Sequence, residues 1–523
     1  MTEVQGRGHS NGSGTAEVAG RAATAFGPST ITRDDPRYDS MLRGTNHRHV
    51  GSPDYIRVVT TTAQVVDAVN EAVAAGRPIA VRSGGHGLEN FVADPRVKVL
   101  LDMSEMTAVY YDERRHAFAI EPGATLGHVY RVLFKGWGVT LPGGMCPEVG
   151  AGGHFAGGGY GPLSRSHGAV VDYLYAVEVV CVGADGTAQA IIATREPGDP
   201  HHDLWWAHTG GGGGNFGVVT RYWMRAPGTP AADPAALLPK APAATRSGMA
   251  IWSWDGMPEE GFTTLLRNFG TWCENNSAAG TPQARLFPYF HGTHRSTPPG
   301  LMVGALVDEG TPDAEALMDA FLDEVSAGVP AAPQARFHEV QPWLYAASYP
   351  GYGDPGNPGV RRFKLKAAYM RKGYTDRQIA AIHRHLTGEV YNPTQLLLVG
   401  YGGQVNTVPS DATATAQRDS ILKAAYLGAW GSPADDDTNI GLIRELYRDV
   451  YADSGGVPGP DERSDGAYIN YPDADLADPE LNTSGVPWHT LYYKDNYPRL
   501  QRVKKRYDPR DTFRHALSVR LPD

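Results

Sequence analysis

Three glycine-rich runs surround the side chains of this sequence that are best placed to do chemistry. The first is Arg82-Ser83-Gly84-Gly85-His86-Gly87, and it follows an apolar strand pattern. The second extends from Gly143 to Gly161 and contains Cys146, Val149, Gly150, Gly153 and His154. The third is the GGGGGNFG stretch, Gly210–Gly217. Glycine loses more backbone entropy on folding than other residues, about 1 kcal/mol relative to alanine. Three such runs therefore point to a large ligand lying against the backbone in one extended cleft. Consecutive N–H groups after a strand can form an anion-binding nest, which suits the first run to a pyrophosphate. The run is not the GxGxxG dinucleotide fingerprint, and no helix pattern of that kind follows it.

Cys146 lies in PGGMCPEVGAGG, where a small hydrophobic side chain has little to pack against, so its thiol asks for a chemical role. Cys181, in VEVVCVG, and Cys273, after Trp272, read as inert core thiols. Three cysteines do not make a disulfide framework. Asp199, His201, His202 and Asp203 cluster in sequence. The flanking DLWWAHTGGGGGNFG stretch accounts for that cluster as part of the fold, and no metal site is expected.

The elements that must position these runs alternate between strand and helix. YIRVVT and PIAVRSGGH read as strands around the helix pattern TTAQVVDAVNEAVAAG, which has Thr at its start and Gly at its end. VKVLLDMS, AFAIEPG, DYLYAVEVVCVG and FGVVTRYWMRA continue as strands. An ADG turn before TAQAIIAT predicts a hairpin. Together these imply an α+β domain over residues 29–226, preceded by a polar, Gly/Ser-rich, disordered lead-in over residues 1–28. A Pro/Ala-rich stretch then marks a boundary. Residues 227–445 mix longer helical patterns with strands such as LMVGALVD and TQLLLVGYGG, as expected of a second domain with a mixed sheet under helices. Residues 446–523 form a C-terminal segment that completes the first domain, and its basic LQRVKKRYDPR reads as a solvated helix face.

The formal net charge of −10 argues against nucleic acid as a partner. No stretch is apolar enough to cross a bilayer, and no secretory signal is evident, so a cytoplasmic location is expected.

In chain order, R-S-G-G-H, E-P-G-A-T-L-G, P-G-G-x-C-x-x-V-G-x-G-G-H-x-x-G-G-G-Y-G, D-L-W-W-A-x-x-G-G-G-G-G-N-F-G-V-V-T and Y-I-N-Y-P-D-x-D follow one another. This ordered set resembles the berberine-bridge-enzyme-like group of the vanillyl-alcohol-oxidase flavoproteins, with their PCMH-type FAD-binding fold. The resemblance implies FAD bound covalently twice, through His86 to the 8α carbon and through Cys146 to C6 of the isoalloxazine. It implies that Arg82, Ser83, Gly84, Gly85 and Gly87 cradle the pyrophosphate. Val149, Gly150, Gly153 and His154 would border the cofactor, Val219 its adenine side and Asn470 the flavin edge. Tyr471 would be the catalytic base, with Tyr160 and Tyr426 as candidate helpers. A free tyrosine has a pKa near 10, so such a base needs help from a neighbour.

Relatives that close rings use a strand glutamate, and the comparable stretch here, Ile421–Trp430, has no acid. The expectation is therefore an oxidase of secondary metabolism. It would act on an alcohol of a bulky natural product or its sugar, with molecular oxygen as co-substrate and hydrogen peroxide as product. The alternatives are secondary-alcohol oxidation or ring formation on a polyketide, or a flavin carrier without turnover.

Overall fold

Residues 27–229, 233–348 and 362–523 are described by the structure, a computed structural model. Most of the expected disordered lead-in therefore lies outside the described residues.

The first strands form a short mixed sheet. β1 (Ser29–Thr32), β2 (Tyr55–Val58), β3 (Ile79–Arg82) and β4 (Val99–Asp102) lie in the order β1-β2-β4-β3. β1 is antiparallel to β2, whereas β2 and β3 run parallel to β4. Parallel strands need a crossover, and the helix Thr62–Ala74 supplies it between β2 and β3. Thr61 caps that helix by accepting the Gln64 N–H, and Val65, Ala68, Val69 and Ala72 form its buried stripe.

β5 (Val109–Asp112), β6 (Ala117–Ile120), β7 (Leu174–Val182), β8 (Ala188–Thr194) and β9 (Val218–Met224) build a second, antiparallel sheet in the order β5-β6-β9-β7-β8. β7 and β8 are the predicted hairpin. Cys181 and Cys273 are both buried, and burial pushes the Cys273 thiol up to about 12.

The third sheet comprises β10 (Ala244–Trp252), β11 (Phe287–Thr293), β12 (Leu301–Asp308), β13 (Ala335–Pro342), β14 (Arg362–Met370), β15 (Thr394–Gly400) and β16 (Leu422–Trp430). Its order is β13-β10-β12-β11-β15-β16-β14, and every pairing is antiparallel. The mixed sheet expected in this part of the chain is thus found in the N-terminal part instead. The helices between these strands pack on one face without imposing parallel pairing. Four of them, Glu259–Asn275, Ala314–Ser326, Asp376–Leu386 and Asp436–Val450, share a core with that face. The opposite face keeps half-buried side chains and looks toward the glycine runs.

The C-terminal stretch returns to the start of the fold. Phe513 packs into the core of Val99 and Leu101 beneath the first sheet. Lys504 departs from the solvated-face reading of its helix. It is fully buried, and its ammonium donates to the Asn215 carbonyl (2.8 Å) and to Asp508 (2.7 Å).

One buried ionic network joins the parts. Lys364 Nζ lies 2.6 Å from Glu89 and 2.7 Å from Asp473. Lys366 Nζ lies 2.5 Å from Asp473 and 2.8 Å from Asp475, and Arg444 grips Asp475 from outside at 2.7 Å. Burial alone would raise the Asp475 carboxyl, but Arg444 and the two lysines hold it far below the usual carboxylate range. Its folded-state pKa therefore lies below the unfolded value. The stabilisation is complete above the ordinary carboxylate range and is lost as pH falls below it. Removing one partner of such a network leaves a buried charge unpaired. Asp473→Ala is expected to destabilise the protein by about 3–5 kcal/mol, read by denaturant unfolding. A loss under about 1 kcal/mol would show that the network does not join the parts.

Candidate active site

β3 ends at Arg82, and the chain turns into Ser83-Gly84-Gly85-His86. The Arg82 guanidinium turns away from the glycines and donates to Asp102 at 3.0 Å and to the Met41 carbonyl. Arg82 therefore offers the turn its backbone rather than its charge. Ser83 donates its hydroxyl to the Pro122 carbonyl at 2.5 Å, which also accepts the Gly152 N–H at 2.9 Å. This shared acceptor draws the first two glycine runs together. They touch so closely that a Cβ on Gly84 would lie 2.5 Å from the Gly150 nitrogen. Gly153 and Gly213, by contrast, have open space where a side chain would be. The glycines thus divide between loop-on-loop contact and walls that face a void.

That void is a cavity of about 450 Å³. Arg82, Ser83, Gly84, Gly85, His86 and Gly87 line one wall. Cys146, Val149, Gly150, Gly153 and His154 line the next, and Val219 on β9 lies farther along. Asn470 and Tyr471 lie along it as well, so the cavity gathers the expected cofactor-binding residues and Tyr471, with Tyr160 beside them.

His86 and Cys146 are half-buried, and neither side chain has a hydrogen-bond partner among the described residues. Burial lowers the His86 pKa against the pull of Glu148, which favours a neutral imidazole with a free lone pair. Burial raises the Cys146 thiol. The Gly144 peptide, two residues before Cys146, is clamped from both ends. Its N–H donates to His154 Nε2 at 3.1 Å, and its carbonyl accepts the Tyr130 hydroxyl at 2.8 Å. Burial holds His154 at a pKa of about 4, so it stays a neutral acceptor.

The Y-I-N-Y motif packs against the second glycine run. Asn470 donates to the His154 carbonyl (2.9 Å) and to the Tyr468 hydroxyl (3.0 Å). Tyr468 in turn accepts the Gly159 N–H at 3.0 Å. Tyr471 and Tyr160 share a hydrogen bond of 3.1 Å between their hydroxyls. Beneath them lies Lys423, almost fully buried and without a hydrogen-bond partner. Its Nζ is 3.2 Å from the Tyr160 ring centroid, 3.6 Å from that of Tyr468, and 4.5 and 4.7 Å from those of Tyr369 and Tyr401.

Strand alternation sorts the remaining candidate. On β16, Lys423 and Ala425 face the cleft, so Tyr426 faces the helices. Tyr426 bonds to Tyr374 (2.6 Å) and Tyr451 (3.0 Å) there, which removes it from the list of helpers. The Asp199–Asp203 cluster is dispersed among protein partners. His201 bonds to the Tyr507 hydroxyl at 2.9 Å, and Asp203 pairs with Arg499 at 2.6 Å.

A glycine-walled cavity with a histidine and a thiol on its rim and paired tyrosines at its end defines a nucleotide-cofactor oxidoreductase. Family models agree. An FAD binding domain matches residues 53–191, and a berberine and berberine like domain matches residues 467–520. Aclacinomycin-N/aclacinomycin-A oxidase of Streptomyces galilaeus is 53% identical to this chain over 94% of it and 90% of the relative. Hexose oxidase of Chondrus crispus is 32% identical over 94% of each. A solved glycopeptide hexose oxidase, complexed with teicoplanin, superposes with a TM-score of 0.89 at 53% identity, over 94% of this chain and 99% of that one. The chain belongs to the berberine-bridge-like family of FAD-linked oxidases.

The open glycine walls and the free His86 and Cys146 fit that cofactor. A methyl group at Gly84 would push the two loops apart. Gly84→Ala is expected to purify folded but with less than half the FAD of the wild type, read as visible flavin absorbance per polypeptide. Full FAD content would show that the loop contact does not shape the cavity.

Proposed function

We propose that this enzyme oxidises an alcohol of a bulky natural product or of its sugar, with FAD attached covalently through both His86 and Cys146. The observation that carries this reading is the Tyr160–Tyr471 hydroxyl pair standing over the buried Lys423 at the end of the FAD cavity. FAD, when bound, supplies the hydride acceptor and passes the electrons to molecular oxygen, which leaves as hydrogen peroxide.

The residues handle the proton. Burial raises the pKa of Tyr471 and of Tyr160, so neither hydroxyl ionises readily in this dry pocket. Burial also drives the Lys423 amine down. Four ring faces oppose that shift, because each attracts a cation lying over it. A positive charge under the rings lowers the cost of a tyrosinate beside it. As the tyrosinate, Tyr471 takes the proton of the substrate hydroxyl and becomes the neutral phenol; before that transfer Tyr160 donates a hydrogen bond to it and the Lys423 ammonium balances its charge. Ring closure by a strand acid has no support, because the cleft face of β16 carries Lys423, Ala425 and Leu427. The named activities of the relatives above, on aclacinomycins and glycopeptide hexose, support a large substrate.

Two experiments test this reading. Acid-denatured wild-type protein should stay yellow and carry the added mass of FAD. His86→Ala and Cys146→Ala should each retain flavin, and the double variant should release it. A colourless wild-type pellet overturns the covalent attachment. For the chemistry, peroxide formation is followed with aclacinomycin A, aclacinomycin N, teicoplanin and free hexose. Tyr471→Phe should lower kcat at least about 100-fold with flavin retained. Lys423→Met should move the rise of the pH–rate profile to higher pH, because the tyrosinate loses its counter-charge. A Tyr471→Phe rate within threefold of wild type sinks the base assignment.

A further inference from the structure

The central rows of the cleft face of the third sheet are largely apolar. One of them runs Ile251, Met302, His291, Leu397, Ala425 and Ala367. The next carries Thr293, Gln395, Leu427 and Leu365, with the Thr293 hydroxyl turned to the Thr297 carbonyl. Leu397 and Val399 of β15 line the FAD cavity, so this face continues directly from the catalytic end. In that apolar floor His291 and Gln395 form a polar pair, with His291 Nε2 and Gln395 Oε1 2.9 Å apart. They are diagonal neighbours on adjacent strands, since His291 lies opposite Leu397.

The pairing fixes what each side chain has left. An amide oxygen only accepts, so His291 donates from Nε2 and keeps a lone pair on Nδ1. Burial lowers the His291 pKa, which favours that neutral form. Gln395 keeps its amide N–H groups. Neither His291 Nδ1 nor the Gln395 nitrogen is sealed from the cleft, and neither has a protein partner among the described residues. One acceptor and one donor thus stand side by side on a greasy surface. Val399 lies opposite Lys423; His291, level with Leu397, is two residues from that level, about 7 Å, and Gln395 is four residues from it, about 14 Å. A single sugar ring oxidised at Tyr471 does not reach Gln395, so a group that meets both members of the pair belongs to a second ring.

We infer that His291 and Gln395 are the specificity-determining pair of a distal subsite. It reads two neighbouring oxygens, one of them a hydroxyl, on a ring beyond the one that is oxidised, while Leu397, Met302 and Leu427 pack against that ring. This rests on the alcohol-oxidase reading and sets its substrate class: a chain or scaffold at least two rings long.

The test measures binding rather than turnover. Wild-type holoenzyme and the variants His291→Leu, Gln395→Leu and His291→Asn are titrated with aclacinomycin A and with teicoplanin, following perturbation of the flavin absorbance. Each leucine variant should raise the Kd about five- to tenfold for at least one ligand, as for a lost hydrogen bond. His291→Asn, which keeps an acceptor, should recover most of it. Flavin content monitors folding. Kd values within twofold of wild type in both leucine variants overturn the subsite, as does failure of the wild type to bind either ligand. Binding without flavin bleaching in the wild type counts against alcohol oxidation and leaves the subsite standing.

Discussion

The position of the catalytic end depends on two carboxylates that cannot be left without their lysines. Asp473 and Asp475 follow Tyr471 by two and four residues, and Lys364 and Lys366 hold them at the edge of the third sheet. Glu89, three residues after His86, joins Lys364. Such a network contributes little net stability compared with an apolar packing of equal volume, because the desolvation of its charges offsets their attraction. Its effect is on geometry. A shift of the His86 loop or of the tyrosine segment away from the sheet would expose or orphan a charge in a dry interior. The sheet face, the glycine loops and the Tyr471 segment are thereby kept in one register.

The glycine runs were legible as a site, but their purpose was only half legible. Their density predicts a ligand against the backbone, and Gly153 and Gly213 do line an open cavity. Gly84 and Gly150 answer a different constraint, since each occupies space that the other's loop would need. Two glycines far apart in sequence carry no sign that they will meet. Arg82 shows the same limit: an arginine beside a nest of N–H groups suggests a phosphate ligand, yet its charge belongs to Asp102, a partner on the neighbouring strand. Lys504 looks solvated within LQRVKKRYDPR, and the carbonyl of Asn215 that buries it lies in the third glycine run.

Strand phase explains what was missed near Tyr471. The stretch Ile421–Trp430 reads as a strand lacking an acid, and that reading holds. A strand pattern alone does not say which of its two faces meets the cleft. With the faces exchanged, Tyr426 would stand beside the substrate and Lys423 would lie among the helices. Apolar neighbours gave no phase here, because both faces of β16 are rich in alanine and leucine. The register with β14 and β15 decides the matter, and it brings Lys423 into line with Tyr369 and Val399. The same register places His291 and Gln395 on the cleft face. In sequence they are an unremarked histidine and glutamine on separate strands.

The pocket around the tyrosines then shows why the cleft has two characters. Burial raises Tyr160, Tyr468 and Tyr471 and lowers Lys423, so the catalytic end resists any isolated charge. Proton movement there must keep the group nearly neutral, which needs a dry and closely packed wall. The sheet face beyond it carries half-buried leucines and methionine with one neutral polar pair, and it holds no ionised group in its two central rows. A substrate can spread over such a surface without stripping water from fixed charges. A large substrate needs a wide mouth, and a wide mouth gives weak retention of anything held only by contact. The proposed attachment through His86 and Cys146, two side chains on the cavity wall without hydrogen-bond partners among the described residues, would meet that difficulty, because a covalent link makes cofactor retention independent of how far the cleft opens.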